Sequence, residues 1–215
     1  MITIYLIGSP ASGKSTLADA FLEDWKEQEL IEKPFAHRIA KSGLGGYGII
    51  LGKDRKPFSG TDTLGHTAIV AVEKIYPEWA RRSISWVFGE GDRLAVDRFM
   101  DCAKREGSVF LFYLDTPEET AQLRRVARAE QHGLKVQNPT WVAGRKTKAH
   151  NLASRHGAYR ITCEENDLKK TVKPVGIAPV TVRVAFPRSL FQEAATVGTV
   201  GGVTVIVNWL NAKSE

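Results

Sequence analysis

At 215 residues, with 43% hydrophobic and 25% charged residues, the chain has the composition of a folded globular protein, which excludes a disordered or fibrous architecture and leaves room for one domain with an appendage. No apolar run reaches the roughly 18 residues of a membrane span, and Ile2 to Ile7 is too short and lacks the basic leader of a secretory signal, so a cytoplasmic protein without membrane association is expected. The net charge of +6 is unevenly placed: from Ala121 to Arg160, Arg124, Arg125, Arg128, Lys135, Arg145, Lys146, Lys148, Arg155 and Arg160 face only Glu130, a local +8 that points to a polyanion-facing surface.

In chain order, Ile2 to Ile7 is a β-branched and aromatic run that predicts a strand, and a Gly-rich turn follows it. From Ser15 to Gln28, Leu17, Ala18, Phe21, Leu22 and Trp25 recur at helical spacing. Phe35 to Ile39 and Tyr47 to Leu51 read as short strands around the Gly-rich stretch Ser42 to Gly46. Ser59 to Thr63 reads as a capped loop opening a helix from Thr67 to about Tyr76, with Pro77 as an interruption. Ser83 to Phe88 reads as a buried strand ending in Gly89-Glu90-Gly91-Asp92-Arg93, and a helix is expected from about Leu94 to Arg105.

Val109 to Leu114 has the character of an interior strand, and Pro117-Glu118-Glu119 opens a helix at its preferred acidic end. Gly133 to Thr140 is a polar connection, Trp141 to His156 a second basic helix, and Tyr159 to Cys163 a last strand of the parallel sheet. Beyond Asp167 the stretches Val172 to Val184 and Val197 to Trp209 are rich in Val, Thr and Gly, with Pro174, Pro179 and Pro187 as punctuation. The expected organisation is an α/β domain over residues 1–167, a parallel sheet flanked by helices with a lid at about 121–150, and a β-rich extension over 168–215. Cys102 and Cys163 have neither CxxC spacing nor a histidine at metal-ligand spacing and are expected as buried thiols.

The chemistry concentrates in Gly8-Ser9-Pro10-Ala11-Ser12-Gly13-Lys14-Ser15, a GxxxxGK[ST] motif between a strand and a helix. Such a loop turns backbone amides toward phosphates at a helix N-terminus. Gly8, Ser9, Ala11, Ser12, Gly13, Lys14, Ser15 and Thr16 are therefore expected to bind ATP, with Lys14 reaching the β and γ phosphates and the Ser15 hydroxyl holding Mg²⁺. Neither a DExx-type motor strand nor a guanine-reading NKxD is present, which favours transfer to an acceptor over mechanical work. A hydroxyl acceptor needs a carboxylate to orient it and take its proton. Asp62 is the first candidate; Glu90, between two glycines, could replace it or hold the Mg²⁺ shell, and either could instead be a helix cap or a surface ion pair. Arg124, Arg125 and Arg128 fit a lid over the nucleotide, with Arg128 the leading candidate to neutralise charge on the transferred group, while Arg145, Lys148 and Asn151 share one helix face.

This order of motifs resembles the nucleoside and nucleotide kinase group of P-loop proteins over about Met1 to Asp167. More narrowly, Ser59-Gly60-Thr61-Asp62-Thr63-Leu64, Gly89-Glu90-Gly91-Asp92-Arg93 and the run from Gly144 to Leu152 resemble phage-encoded kinases that act on 5-hydroxymethyluracil in DNA. The resemblance implies transfer of the ATP γ-phosphate to the hydroxymethyl group of a modified base already in DNA, a step of thymine hypermodification. DNA would then be the partner, and a base extruded into the site could stack on Trp86, Trp141 or Tyr47. A small-molecule kinase acting on a deoxynucleoside monophosphate or other metabolite, and a nucleic-acid-binding protein switched by ATP, are the competing expectations.

Overall fold

The computed structural model describes residues 1–22, 25, 27–41, 47–54, 59–82, 84–162, 182–187, 197–200 and 203–210. The first β-branched run forms β1, Ile2–Gly8, whose residues 3–7 are all buried, as expected of a strand covered on both faces. It pairs in parallel with β5, Trp86–Glu90, on one side and with β6, Ser108–Asp115, on the other. The sheet extends beyond β6 to β7, Tyr159–Thr162, and beyond β5 to β4, Tyr47–Leu51, both in parallel. Next to β4 lie two antiparallel strands, β3, His37–Lys41, and β2, Glu27–Ile31, giving seven strands in the order β2-β3-β4-β5-β1-β6-β7.

Helices cover both faces. α2, Ala68–Arg81, α3, Asp97–Glu106, and α5, Pro139–His156, close one apolar core through Val72, Tyr76, Phe99, Met100, Ala149 and Leu152. α1, Lys14–Leu22, closes the other through Leu17 and Ala18 against Ile4, Ile50 and Phe88. α4, Glu118–His132, follows β6 and ends on the left-handed Gly133. In the C-terminal stretch β8, Val182–Pro187, β9, Val197–Val200, and β10, Val203–Leu210, form a separate small sheet in the order β8-β10-β9. Most of Val172 to Val184, the stretch Ser42 to Gly46, and Cys163 lie outside the described residues, while Cys102 is buried.

Four expected boundaries are corrected. The helix after the Gly-rich turn stops at Leu22 rather than Gln28, because Glu27–Ile31 pairs along β3 as an edge strand. Trp25 nonetheless stays on the apolar face, its ring edge-on to Trp86 at 4.3 Å. The strand expected at Phe35 to Ile39 begins two residues later, at His37. The strand expected at Ser83 to Phe88 runs instead from Trp86 through Glu90, which carries Glu90 inside the sheet. Pro77 does not end α2: Tyr76 and Trp79, both nearly inaccessible, anchor the helix on either side of it, and Trp79 contacts Phe35, His37 and Tyr76. Tertiary packing thus offsets the backbone hydrogen bond that a proline removes. Trp79→Ala should lower the unfolding free energy by about 3–5 kcal/mol, measured by urea denaturation.

Candidate active site

Because β1 pairs with both β5 and β6, the ends of the three strands open together at the carboxyl edge of the sheet, where ligands of open α/β sheets bind. The Gly-rich turn leaves β1 there. Its backbone takes left-handed values at Ala11, φ 64°, and at Gly13, φ 98°, which fold the loop tightly over the helix start. The first amide bonded within this turn of α1 is that of Leu17, donating to Gly13 at 3.0 Å, so the amides of Lys14, Ser15 and Thr16 form the open, electropositive end of the helix.

Three cationic side chains hold carbonyls of the loop. Lys14 Nζ donates to the carbonyls of Gly8 at 3.1 Å and Ser9 at 2.8 Å, and Arg125 and Arg124 donate to Pro10 at 3.4 Å and Ala11 at 3.5 Å. Thr116, at the end of β6, adds a hydroxyl bond to the Ser12 carbonyl at 2.9 Å. Nη2 of Arg124 is buried without a hydrogen-bond partner. A buried donor left unspent beside open helix amides is what an anionic ligand would satisfy. Burial also lowers the proton affinity of Lys14, against the pull of Glu90, Asp62 and Asp92, while Arg128 adds to the lowering.

The register of β1 and β5 sets Leu6 opposite Glu90, which brings the Glu90 carboxylate over the helix start. Oε1 accepts from Ser15 Oγ at 3.2 Å and from Ser59 Oγ at 2.9 Å. Glu90 is only 5% exposed, and burial pushes its carboxyl above the usual carboxylate range, opposed by Lys14 and by the two serine hydroxyls. A hydroxyl and a carboxylate side by side are hard oxygen donors of the kind Mg²⁺ takes when most of its remaining ligands are phosphates and waters. The Ser59 bond depends on Gly60, at φ 61°, where a Cβ would stand 2.6 Å from Glu90 Oε1.

Asp62 lies in a single 3₁₀ turn, Thr61–Thr63, and its Oδ1 accepts the Asp92 amide at 2.8 Å. The turn is moored from below by Tyr5, whose hydroxyl meets Thr61 Oγ1 at 2.9 Å and donates to Gly91 at 3.2 Å, while Thr61 Oγ1 donates to the Glu90 carbonyl at 2.9 Å. The structure therefore brings together Lys14, Ser15, Asp62 and Glu90, and sets Arg128, half-buried on α4, within electrostatic reach of Lys14. Arg145 and Lys148 arrive from α5 on Asp92: Arg145 on its carboxylate, Lys148 on its carbonyl at 2.9 Å and its Oδ1 at 3.1 Å. Trp141 stays 44% exposed, with the Arg145 guanidinium 5.1 Å over its ring. Trp86, by contrast, packs in the core against Gly48 and Trp25, which removes it from the possible stacking platforms.

Much of the expected basic surface is paired with acids of the same chain. Besides Arg124 and Arg125 on the loop, Arg125 and Lys146 pair with Glu118, Arg145 and Lys148 with Asp92, Arg155 with Asp97, and Arg160 with Asp115. Beside Glu90 and Ser59, on the flank of α1, a cleft of about 190 Å³ opens toward Arg38, Ile50 and Phe88. Tyr5, Ser59 as a partner of Glu90, Thr116 and Arg38 were not singled out by motif. Arg38 alone had a readable signal, a charged residue inside the strand predicted at Phe35 to Ile39.

A family model described as P-loop Nucleotide Kinase3 matches residues 1–169, and the chain belongs to that family. No curated protein matches the chain. The family suggests nucleotide-dependent phosphoryl transfer and leaves the acceptor open. No helix among the described residues is long and apolar enough to cross a membrane.

Glu90→Gln keeps an acceptor for Ser15 and Ser59 but removes the buried charge. The raised native carboxyl means that the folded protein holds a proton more tightly than the unfolded chain, so wild-type stability falls as pH rises from the ordinary glutamate range through the raised native value. E90Q should therefore melt higher than wild type near neutral pH, by about 2–4 °C per kcal/mol recovered, with the gap closing below the ordinary glutamate range. Scanning calorimetry across that pH range checks both the sign and the closure.

Proposed function

We propose that the protein transfers the γ-phosphate of ATP to the hydroxymethyl group of 5-hydroxymethyluracil in DNA. The observation that carries this reading is the two-sided layout of the Ser15–Glu90 centre. The arginines of α4 lie on one side of the loop, and on the other a cleft opens beside Glu90 and Ser59. Donor and acceptor would thus approach one centre from opposite sides, as in-line transfer requires.

In this reading the acceptor hydroxyl oxygen forms a bond to the γ-phosphorus as the bond from that phosphorus to the β–γ bridging oxygen breaks. ADP leaves, and the acceptor proton passes to the Asp62 carboxylate. Lys14 and the open amides of α1 hold the β and γ phosphates, with Gly8, Ser9, Ala11, Ser12 and Gly13 shaping the cradle. Arg128, and Arg124 through its unspent Nη2, neutralise the charge that spreads over the transferred group. Mg²⁺, held by Ser15 and Glu90, would neutralise phosphate charge when bound. Between the two carboxylates, the serine bonds of Glu90 support it as the cation ligand, with Asp62, the exposed one, as the base. Residues 1–167 then form the kinase domain, 121–150 the lid and 168–215 an extension.

The pairing of Arg145, Lys146, Lys148, Arg155 and Arg160 with acids of the same chain favours a second reading, a kinase for a free nucleotide or small metabolite, because charge neutralised within the protein leaves less for a polymer. Labelled ATP offered with hydroxymethyluracil-containing DNA and, separately, with free nucleotides separates the two: label on the DNA is expected, and label confined to free nucleotides selects the second. Asp62→Asn should lower transfer at least about 100-fold while ATP affinity stays within about twofold, read by single-turnover assay and calorimetry. Lys14→Ala should instead weaken ATP binding itself, by about tenfold or more in the same calorimetric titration.

A further inference from the structure

Arg38 breaks the pattern of the sheet face on which it lies. The registers run Arg38 to Ile50 across β3 and β4, Ile50 to Phe88 across β4 and β5, and Phe88 to Ile4 across β5 and β1. Ile50, Phe88 and Ile4 are all in the core beneath α1, each at most 4% exposed. A guanidinium in that row is partly withdrawn from water, and burial weakens its hold on its proton. Removing a charge from water is costly, and a fully apolar face would be served better by another isoleucine.

The row opens into the cleft beside Glu90, whose about 190 Å³ compares with the roughly 150 Å³ of an engineered apolar cavity that holds benzene. The space suits one substituted six-membered ring. Its lining is mixed: Ala18, Leu22, Ile50 and Phe88 offer apolar contact to the faces of a flat ring, and charged and hydroxyl side chains line the rest. Its polar edge combines the donor fork of Arg38 with the carboxylates of Asp19 and Asp54, both close enough to act on Arg38 electrostatically. Donor beside acceptor is the complement of an imide edge, a ring carbonyl next to a ring N–H.

We infer that this cleft is the acceptor-base pocket and that Arg38 is its specificity-determining residue, donating to a carbonyl of a pyrimidine-dione ring while a neighbouring aspartate accepts from the adjacent ring N–H. This deepens the proposed function and rests on it for the direction in which the ring is presented, with its substituent toward Glu90 and Ser59. A cytosine-type edge, which reverses donor and acceptor at those positions, meets Arg38 with an amino group and is disfavoured.

The full-length protein, saturated with a non-hydrolysable ATP analogue, is titrated with uracil, 5-hydroxymethyluracil, cytosine and adenine and followed by ligand-observed NMR. The two uracils should bind at least about tenfold more tightly than cytosine or adenine. Arg38→Met should remove that preference by the same factor, with affinity for the ATP analogue unchanged as the measure of an intact fold. Leu22→Trp, which fills the cleft from a half-buried position on α1, should block ring binding independently of Arg38. Equal binding of uracil and cytosine, or uracil binding untouched by both variants, would overturn the assignment. Phosphorylation of hydroxymethyluracil DNA with KM unchanged in R38M overturns the pocket and leaves the function standing. Arg38-dependent uracil binding without transfer to such DNA overturns the acceptor and leaves the pocket.

Discussion

The hydrogen bond from Ser15 to Glu90 is the constraint on which the rest of the site hangs. It exists because two neighbouring parallel strands end together, one releasing the phosphate loop and the other a carboxylate, and the register of Leu6 with Glu90 fixes their relative height. The arrangement is electrostatically expensive. Lys14 and Glu90 are both displaced by burial toward their neutral forms, and neither is relieved by direct pairing with the other. Charges that are desolvated and held in place before a ligand arrives need little reorganisation when it does, which is how preorganised sites stabilise charge on a transferred group.

The basic segment shows why counting charges along a chain is a limited guide. A local net charge of +8 suggests an outward field, yet the acids that answer it come from elsewhere: Asp92 after β5, Asp97 in α3 and Asp115 at the end of β6, with Glu118 just before the segment. Several cations thereby become ties between α4, α5 and the strand ends. Arg145 and Lys148 both anchor α5 to the loop that follows Glu90, so α5 and the acidic loop share a boundary.

What the sequence disclosed and what it withheld follow from the range of the interactions involved. The phosphate loop, α4 and β4 were legible because each is set by neighbours within a few residues: the GxxxxGK[ST] spacing, the Pro-Glu-Glu start and the Gly-bounded apolar run. The length of α1 was not, since the apolar spacing that reaches Trp25 serves a ring packed on Trp86, sixty-one residues further on, rather than another helical turn. Pro77 misled because the aromatic contacts that carry α2 past it come from Phe35 and His37. Asp62 and Glu90 could be nominated as acids, but the mooring of their loops by Tyr5 depends on strand pairing that no local pattern encodes.

The antiparallel pair β2–β3 is appended to a parallel sheet that would hold the phosphate loop, Glu90 and the Thr61–Thr63 turn without it. Arg38 stands on this appended edge, outside the paired strands that fix Ser15 against Glu90. The fold is in that sense modular: Arg38, half-buried between the core residues His37 and Ala40, lies outside the register that assembles the phosphate machinery. Under the role proposed for Arg38, a change of acceptor would need only a side-chain change at the border of the sheet, with the nucleotide side left as it is.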